Sequence, residues 1–236
     1  MNGLTCHGLT KRFAEDKGVF SLDLAVPPSM VFAIVGANGA GKTTLMNLCL
    51  GYLEPDAGEI RIDGIEVRRD PVAAKARLAY VPEVTRLYGD LSALRNMALF
   101  EGLMGRTHDD AVYEEILARL AFPVASARDR VSTYSKGMRQ KVAIAIGLLK
   151  GAKVFLLDEP TSGLDPRAAL DFIKLLNTLR SEGKAILVSS HDLHSVYSSA
   201  DRVGVLHRGR LVVEEPVAAF RERDVEALYR ELEDHG

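Results

Sequence analysis

The chain has 236 residues, and its 30 lysines and arginines nearly balance its 32 aspartates and glutamates, giving a formal net charge of −2. At roughly 150 residues per domain, this length predicts a single domain, residues 1–236, with room for an inserted lobe. The balanced charge provides no basic stripe for a phosphate backbone, so we expect no nucleic-acid partner, and the two cysteines lack the spacing of a zinc site or a disulfide framework.

Three extended stretches near the start of the chain, residues 4–9, 20–26 and 59–62, predict a small antiparallel sheet. Pro27, Pro28 and the pair Asp63-Gly64 provide turn residues next to these stretches. We therefore expect a small antiparallel β subdomain beside the main fold.

The rest of the chain alternates short β-branched runs with longer amphipathic stretches, which predicts an α/β fold with a mainly parallel central sheet. The candidate strands are residues 31–35, 78–81, 154–157, 185–189 and 203–206. Polar or glycine-rich residues follow the first, third and fourth of them. Because ligands of such sheets bind at the carboxyl ends of the strands, we expect the functional site at that edge.

Two regions show helical rather than strand spacing. Residues 87–150 predict an inserted α-helical subdomain, with one apolar stripe formed by Val112, Ile116, Leu117 and Leu120. Residues 224–234 predict a charged amphipathic helix, with an apolar face formed by Val225, Leu228, Tyr229 and Leu232.

The strongest chemical signal is the glycine-rich loop from Gly36 to Thr43, which follows an apolar strand and opens an apolar helix over residues 42–50. Its glycines allow backbone N–H groups to face phosphate oxygens at the positive end of that helix. We expect Lys42 to reach the terminal phosphates and Thr43 to hold Mg²⁺. A glycine-rich turn with a chance lysine is the alternative, which the flanking strand and helix disfavour.

The run at residues 154–157 leads directly into two adjacent carboxylates, Asp158 and Glu159. Burying neighbouring anions is unfavourable without a cation. Asp158 would meet that need by bonding Mg²⁺ through water, while Glu159 would orient or deprotonate an attacking water. An ordinary solvated strand end is the alternative, and the phosphate loop upstream argues against it.

A serine and a glycine, Ser135 and Gly137, lie at the start of the helix that ends near Lys150. Such a helix start is a second helix end that could bind an anion, in addition to the one at the phosphate loop, and it has no equivalent of the phosphate-loop lysine. Taken alone, the same residues would more often form a simple helix cap.

With Phe13 upstream and Asp165 and His191 downstream, these motifs resemble the ATP-binding cassette (ABC) family, in the family's order and over almost the whole chain. The resemblance implies an α/β fold with a P-loop NTPase core and a mainly parallel sheet, a small antiparallel β subdomain and an inserted α-helical subdomain. The ATP-binding residues that the resemblance implies are Phe13, Gly36, Ala37, Asn38, Gly39, Ala40, Gly41, Lys42, Thr43 and Thr44. It implies Glu159 and His191 as catalytic residues. The implied metal ligands are Thr43, Glu83 and Asp158, with Mg²⁺ accompanying ATP. The implied signature motif is Ser135, Lys136, Gly137 and Met138, and Asp165 belongs to the implied D-loop.

In this family two subunits pair head to tail, which implies that the signature residues act on the nucleotide of a second ABC ATPase subunit, in a homodimer or a heterodimer. A separate integral membrane permease is expected to contact residues 83–95, which include the apolar side chains of Val84, Leu87, Tyr88 and Leu91. The longest apolar run, residues 142–149, is far below the roughly 20 residues that span a bilayer. We therefore expect a cytoplasmic protein held at the membrane face by the permease.

Two departures from the usual family sequence bear on the subgroup. Glu83 stands where most members have glutamine, and its carboxylate is expected to hold Mg²⁺ more strongly and with more pH sensitivity. Lys136 and Met138 replace the usual signature residues, and the lysine either adds charge near the partner's nucleotide or lies in solvent. Together with Leu87 and Tyr88, these features are most similar to the ATPases of ABC-2-type exporters.

The predicted function is that of an ATP-binding and ATP-hydrolysing subunit that powers a separate permease through ATP-driven dimer closure. One alternative is a non-transport ABC ATPase, although such relatives usually carry two cassettes or a long coiled-coil insertion. Another is a nucleotide-dependent regulatory module that hydrolyses little, against which Glu159 and His191 favour real turnover. A small-molecule kinase shares the phosphate loop but does not explain the other motifs.

Overall fold

The computed structural model describes residues 2–224, 227, 228 and 230. In this part of the chain, strands form a six-stranded and a four-stranded sheet, and helices cover both faces of the larger one. The predicted α/β class is confirmed. The predicted helix at residues 224–234 lies mostly outside the described residues, although the buried Leu228 donates its backbone N–H to the Asp224 carbonyl at 3.0 Å.

The larger sheet consists of β3 (Met30–Val35), β6 (Leu78–Val81), β7 (Val154–Asp158), β8 (Ala185–Ser190), β9 (Arg202–His207) and β10 (Arg210–Pro216). Their order is β10-β9-β3-β8-β7-β6, and all neighbours are parallel except β10 and β9. All six residues of β8 are buried, as expected for a strand covered on both faces. The five strands predicted for this sheet are confirmed, whereas the half-exposed edge strand β10 was not predicted.

The smaller sheet is antiparallel and consists of β1 (Leu4–Ala14), β2 (Lys17–Val26), β4 (Ala57–Ile62) and β5 (Ile65–Glu66). The β subdomain predicted from residues 4–9, 20–26 and 59–62 is therefore confirmed, with longer first strands. The hairpin that joins β1 and β2 reaches towards the phosphate loop, which brings this subdomain to the functional site.

The helices are α1 (Lys42–Cys49), α2 (Pro71–Ala76), α3 (Ala93–Leu103), α4 (Asp110–Arg119), α5 (Lys136–Lys150), α6 (Pro166–Ser181), α7 (Leu193–Ser199) and α8 (Val217–Arg221). Helices α3 and α4 and two short 3₁₀ turns form the predicted helical lobe, and α5 packs against both α3 and α4. In the predicted stripe, Leu117 and Leu120 are buried, whereas Val112 and Ile116 are half-buried. The largest buried side chain of α4 is Tyr113, which the stripe did not include.

Two apolar clusters lie on opposite faces of the larger sheet, and β3 contributes to both by alternation. Val31, Ala33 and Val35 face one cluster, and Phe32 and Ile34 face the other. Helix α1 packs on the second cluster, whereas α5 and α6 pack on the first. The carboxyl ends of β3, β7 and β8 thus meet between well-packed layers. Among the described residues, none of the helices combines the length and apolar character required to cross a membrane.

Candidate active site

The phosphate loop lies at the carboxyl end of β3 and borders a cleft of about 400 Å³. The residues that line the cleft are Phe13, Lys17, Gly18, Ala37, Asn38, Gly39, Ala40, Gly41, Lys42, Thr43, Thr44, Glu83, Asp158 and Glu159. Most of the site residues predicted from the sequence therefore share one cleft. Lys17 and Gly18, from the β1–β2 hairpin, were not predicted, and no motif in the sequence marks them.

Two glycines explain the path of the loop. Gly36 does not line the cleft, because it passes so close to β9 that a Cβ atom would lie 2.3 Å from the Leu206 carbonyl oxygen. Gly41 caps α1 with a φ of 111°, which a residue with a side chain rarely adopts. The first backbone N–H groups of α1 therefore point into the cleft without a side-chain cap, which suits an anion.

The ammonium group of Lys42 folds back over the loop. Its Nζ donates to the carbonyl oxygens of Gly36 at 2.5 Å and Ala37 at 3.2 Å. Burial lowers the pKa of Lys42, while the charges of Glu159 and Asp158 act in the opposite direction. An incoming phosphate would offer this cation an anionic partner in place of two carbonyl groups.

Asp158 is held by two hydroxyl groups from neighbouring strands. Ser189 Oγ donates to Asp158 Oδ1 at 2.5 Å, and the Tyr80 hydroxyl donates to Oδ2 at 3.4 Å. Burial, together with the nearby Asp158 charge, raises the pKa of Tyr80 to about 12, so this phenol remains a neutral donor. Both donors fix the carboxylate at the floor of the cleft.

Glu159 turns away from Asp158 because its backbone adopts a φ of 46°. Its N–H donates to the carbonyl oxygen of Ser189 at 3.2 Å and to Ser189 Oγ at 3.0 Å, which stabilises this uncommon conformation. Its Oε2 lies 2.8 Å from His191 Nδ1 and accepts from the His191 backbone N–H at 3.3 Å. The two side chains border a second hollow of about 220 Å³ beside the phosphate cleft.

The predicted signature residues lie away from the cleft. Ser135 Oγ accepts from the Met138 N–H at 3.2 Å, so within one chain it caps α5, and Gly137 lies on the first turn of that helix. Lys136 is half-buried and donates to the Ser162 carbonyl oxygen at 2.6 Å, so the alternative that it lies in solvent is wrong. Asp165 Oδ1 accepts from the Ala168 N–H at 2.9 Å and caps α6.

Two other predicted residues lie at the margins of the cleft. Phe13, on β1, lines its edge with 57% of its surface exposed, as a stacking platform requires. Glu83 follows β6, lines the cleft and accepts from Ser162 Oγ at 3.3 Å. Sequence reasoning missed Ser189 and Tyr80. The feature that could have identified them is a polar side chain at or near the end of an otherwise apolar strand.

Comparison with known proteins agrees with this geometry. A family model described as ABC transporter matches residues 19–162. The daunorubicin resistance ATP-binding protein DrrA3 of Streptomyces coeruleorubidus is 35% identical over 214 residues, covering 89% of this chain and 67% of the relative. The bacitracin transport ATP-binding protein BcrA of Bacillus licheniformis is 31% identical over 227 residues, covering 96% and 74%. The ABC transporter ATP-binding protein NatA of Bacillus subtilis is 34% identical over 216 residues, covering 89% and 87%.

Solved structures share the fold over nearly the entire length. The structure of an ATP-binding subunit of an ABC transporter is 28% identical, with a TM-score of 0.83 and coverage of 98% of this chain and 99% of the other. CbiO1 of Clostridium perfringens, part of the ABC transporter complex CbiONQ, is 26% identical, with a TM-score of 0.82 and coverage of 94% and 92%. The architecture of this chain is thus similar to that of known ATP-binding subunits.

Proposed function

The chain belongs to the ABC transporter family as an ATP-binding and ATP-hydrolysing subunit, and we propose that two such subunits close on ATP to drive a separate membrane permease. The observation that carries this proposal is the cleft that Lys42, Asp158 and Glu159 share with the phosphate loop. We further propose that residues 1–236 act as one nucleotide-binding domain with a helical lobe at about residues 87–150.

For substrate binding, we propose that the phosphates of ATP lie against the loop from Gly36 to Thr44, with adenine on the exposed ring of Phe13. The N–H groups at the start of α1 and the Lys42 ammonium provide the positive charge that the phosphates require. Lys17, in the same cleft, adds a second cation near the phosphates.

The donor set fits Mg²⁺, which binds oxygen ligands and commonly combines one or two carboxylates with substrate phosphates. Thr43, Asp158 and Glu83 all line the cleft and offer a hydroxyl and two carboxylates. When bound, the ion would neutralise charge on the phosphoryl group that is transferred. The Ser189 and Tyr80 hydroxyl groups, which donate to the carboxylate of Asp158, would orient it towards the ion.

For hydrolysis, Glu159 is the proposed general base for the attacking water. His191 contacts Glu159 Oε2 through Nδ1, which leaves Nε2 available for a phosphate oxygen or the water. The Glu159 carboxylate is mostly buried, so it lies in a medium where electrostatic interactions are stronger than in water.

The second subunit explains the residues that lie away from the cleft. Ser135 is exposed, and Gly137 and Met138 are half-buried, at the start of α5, from where we propose that they contact the partner's nucleotide in trans. Asp165, at the start of α6, would lie at the same dimer interface. The partner is either a second copy of this chain or a different ABC ATPase.

The proposed permease surface includes residues 83–95 and the adjoining face of α3. Val84 is 68% exposed and Tyr88 is 56% exposed, and the Tyr88 ring lies 6.2 Å from that of Phe100. Leu99 and Leu103 extend the apolar area along α3. Exposed apolar side chains in one region are typical of a protein interface. Docking there would hold the subunit at the cytoplasmic face of the membrane.

The subgroup proposal is an ABC-2-type exporter. It is supported by the Glu83 and Lys136 departures and by relatives whose names refer to daunorubicin resistance, bacitracin transport and Nod factor export. Which compound this chain helps to move is a property of the permease that it serves.

The test is light scattering after size exclusion on Glu159→Gln, with and without MgATP. We expect a monomer that becomes a dimer with MgATP, because the variant binds ATP but loses the base, which slows hydrolysis by about 10²- to 10⁴-fold. The matched control is the double variant Glu159→Gln with Lys42→Ala, which should remain monomeric. A dimer that forms without nucleotide, or a variant that hydrolyses at the wild-type rate, would contradict the proposal.

A further inference from the structure

Residues 160–162, which follow Glu159, accept two hydrogen bonds from side chains of helix α5. Lys136 Nζ donates to the Ser162 carbonyl oxygen at 2.6 Å, and Gln140 Nε2 donates to the Pro160 carbonyl oxygen at 2.8 Å. Residues four apart on a helix lie on the same face, so the two side chains form adjacent donors. Both bonds are directed at backbone carbonyl groups, so they fix the path of the segment rather than a particular side chain.

The burial of Gln140 argues that its bond is more than a by-product of packing. Its side chain is fully buried, and its Oε1 accepts no hydrogen bond from the described residues. A buried polar oxygen without a partner is unfavourable, whereas an apolar residue of similar size would fill the space without this cost. The presence of a glutamine at this buried position is therefore best explained by its Nε2 group, which donates to the Pro160 carbonyl oxygen.

The same segment is also tied to two other parts of the site. Ser162 Oγ donates to Glu83 Oε1 at 3.3 Å, and Thr161 Oγ1 lies 3.0 Å from Ser195 Oγ on α7, the helix that follows His191. The Ser162 N–H donates to the Glu159 carbonyl oxygen at 3.2 Å. A displacement of Ser162 would thus be passed to the backbone of Glu159.

Helix α5 joins two bodies of the fold. It packs on α3 and α4 of the helical lobe and also on β6 of the larger sheet. At Gly147 the helix comes so close to β6 that a Cβ atom would lie 2.6 Å from Ala79 Cβ. This close packing anchors one end of the helix while the other end holds residues 160–162.

We propose that Lys136 and Gln140 are positioning residues that set the geometry of Glu159 within their own chain, through residues 160–162. The proposal rests on the role of Glu159 in the proposed function. It gives Lys136 a task in its own subunit, in addition to any contact with the partner's nucleotide. It also provides a route by which movement of the helical lobe, where the permease is proposed to dock, would change the orientation of the Glu159 carboxylate.

The test compares Lys136→Met with Lys136→Arg and with Lys141→Met. Lys141 is a matched control, because it lies on the same helix and donates to the Ala121 carbonyl oxygen at 2.7 Å, inside the lobe. Hydrogen–deuterium exchange is measured on nucleotide-free protein, so this readout does not depend on ATP hydrolysis. Steady-state ATPase kinetics are then measured on the same samples.

We expect Lys136→Met to speed exchange at residues 161–164 and to lower kcat by about 10- to 100-fold with an unchanged KM for ATP, because small misplacements of reacting groups cost this much. Lys136→Arg keeps a hydrogen-bond donor, so its exchange rates and kcat should stay close to those of the wild type. Lys141→Met should match the wild type in both measurements. Gln140→Leu, which removes the donor but keeps the volume, should also speed exchange.

Unchanged exchange in Lys136→Met would overturn the proposal, even if kcat falls, since the lysine would then act only in trans. Equal changes in Lys141→Met would also overturn it, because they would indicate a general loosening of α5. If exchange responds as expected but none of the proteins hydrolyses ATP, the positioning contact stands and the proposed function fails.

Discussion

Glu159 and His191 meet across two adjacent parallel strands, with Glu159 Oε2 2.8 Å from His191 Nδ1. Strand register explains the contact, because Asp158 is paired with Ser189, so the residues just beyond each strand end emerge side by side. The positive φ of Glu159 then turns its carboxylate towards the imidazole. Strand register and the backbone conformation of Glu159 therefore bring the two side chains together.

The first prediction concerns this pair. His191→Ala removes the imidazole that holds the Glu159 carboxylate, so we expect kcat to fall by roughly 10²-fold or more, while ATP affinity is retained. His194→Ala is the control, since His194 lies on α7 outside both hollows at Glu159. ATPase rates and fluorescent-nucleotide binding measure the two effects. Equal losses of kcat in both variants would contradict a specific role for His191.

A second prediction concerns Ser189, a buried hydroxyl that bonds both Asp158 Oδ1 and the Glu159 N–H. In Ser189→Ala, Asp158 loses its shorter partner, so we expect a loss of about 1–3 kcal/mol in the free energy of unfolding. We also expect more Mg²⁺ to be required for half-maximal turnover, because the carboxylate is less firmly oriented.

Ser199→Ala is the control for that experiment. Ser199 is also buried, and its Oγ donates to the Ser195 carbonyl oxygen at 2.8 Å, away from Asp158. It should lower stability without altering the Mg²⁺ requirement. If both variants change the Mg²⁺ requirement equally, the effect arises from general destabilisation rather than from the orientation of Asp158.

The sequence was most informative where one strong local rule governs the structure. β3, β7 and β8 are buried on both faces, so their apolar runs are continuous and easily recognised. The glycine-rich loop between β3 and α1 identifies itself by residue type and spacing. These features were sufficient to predict the α/β core and the cleft.

The contacts that refine the site depend on tertiary structure and had no local signal. Lys136 and Ser162 are 26 residues apart, so nothing in the signature segment indicated where the lysine would bind. β10 was missed because it is a half-exposed edge strand. Helix α6 was missed although Asp165 and Pro166 form a recognisable helix start, with an aspartate cap followed by proline.

A third prediction concerns acid stability. Glu101 is fully buried in the helical lobe, 2.7 Å from the Tyr113 hydroxyl and 2.5 Å from His108 Nδ1. Burial acts to raise the pKa of Glu101, but the hydrogen bonds from Tyr113 and His108 outweigh it and hold the pKa below its ordinary value. The folded protein therefore stabilises the ionised form relative to the unfolded chain.

Stability from this carboxylate is present above the ordinary glutamate pKa of about 4.3 and is lost as the pH falls through the lower folded-state pKa. We expect Glu101→Gln to be less stable than the wild type at neutral pH and to lose less further stability on acidification. Denaturant titrations between about pH 3.5 and 7 measure this. The control is Glu115→Gln, an exposed position on α4, which should keep the wild-type slope. An unchanged slope in Glu101→Gln would contradict the assignment.

The fourth prediction compares two helical glycines. At Gly147 on α5, a Cβ atom would lie 2.6 Å from Ala79 Cβ and 3.0 Å from Phe155 Cε1, so Gly147→Ala must push the helix away from β6 and β7. Overpacking of this kind costs about 1–3 kcal/mol. At Gly102 on α3, a Cβ atom would meet nothing within 4 Å, so Gly102→Ala should stabilise by about 0.5–1 kcal/mol through helix propensity. Urea unfolding of both variants measures the difference, and a Gly147→Ala protein as stable as Gly102→Ala would show that α5 and the sheet are less closely packed than described.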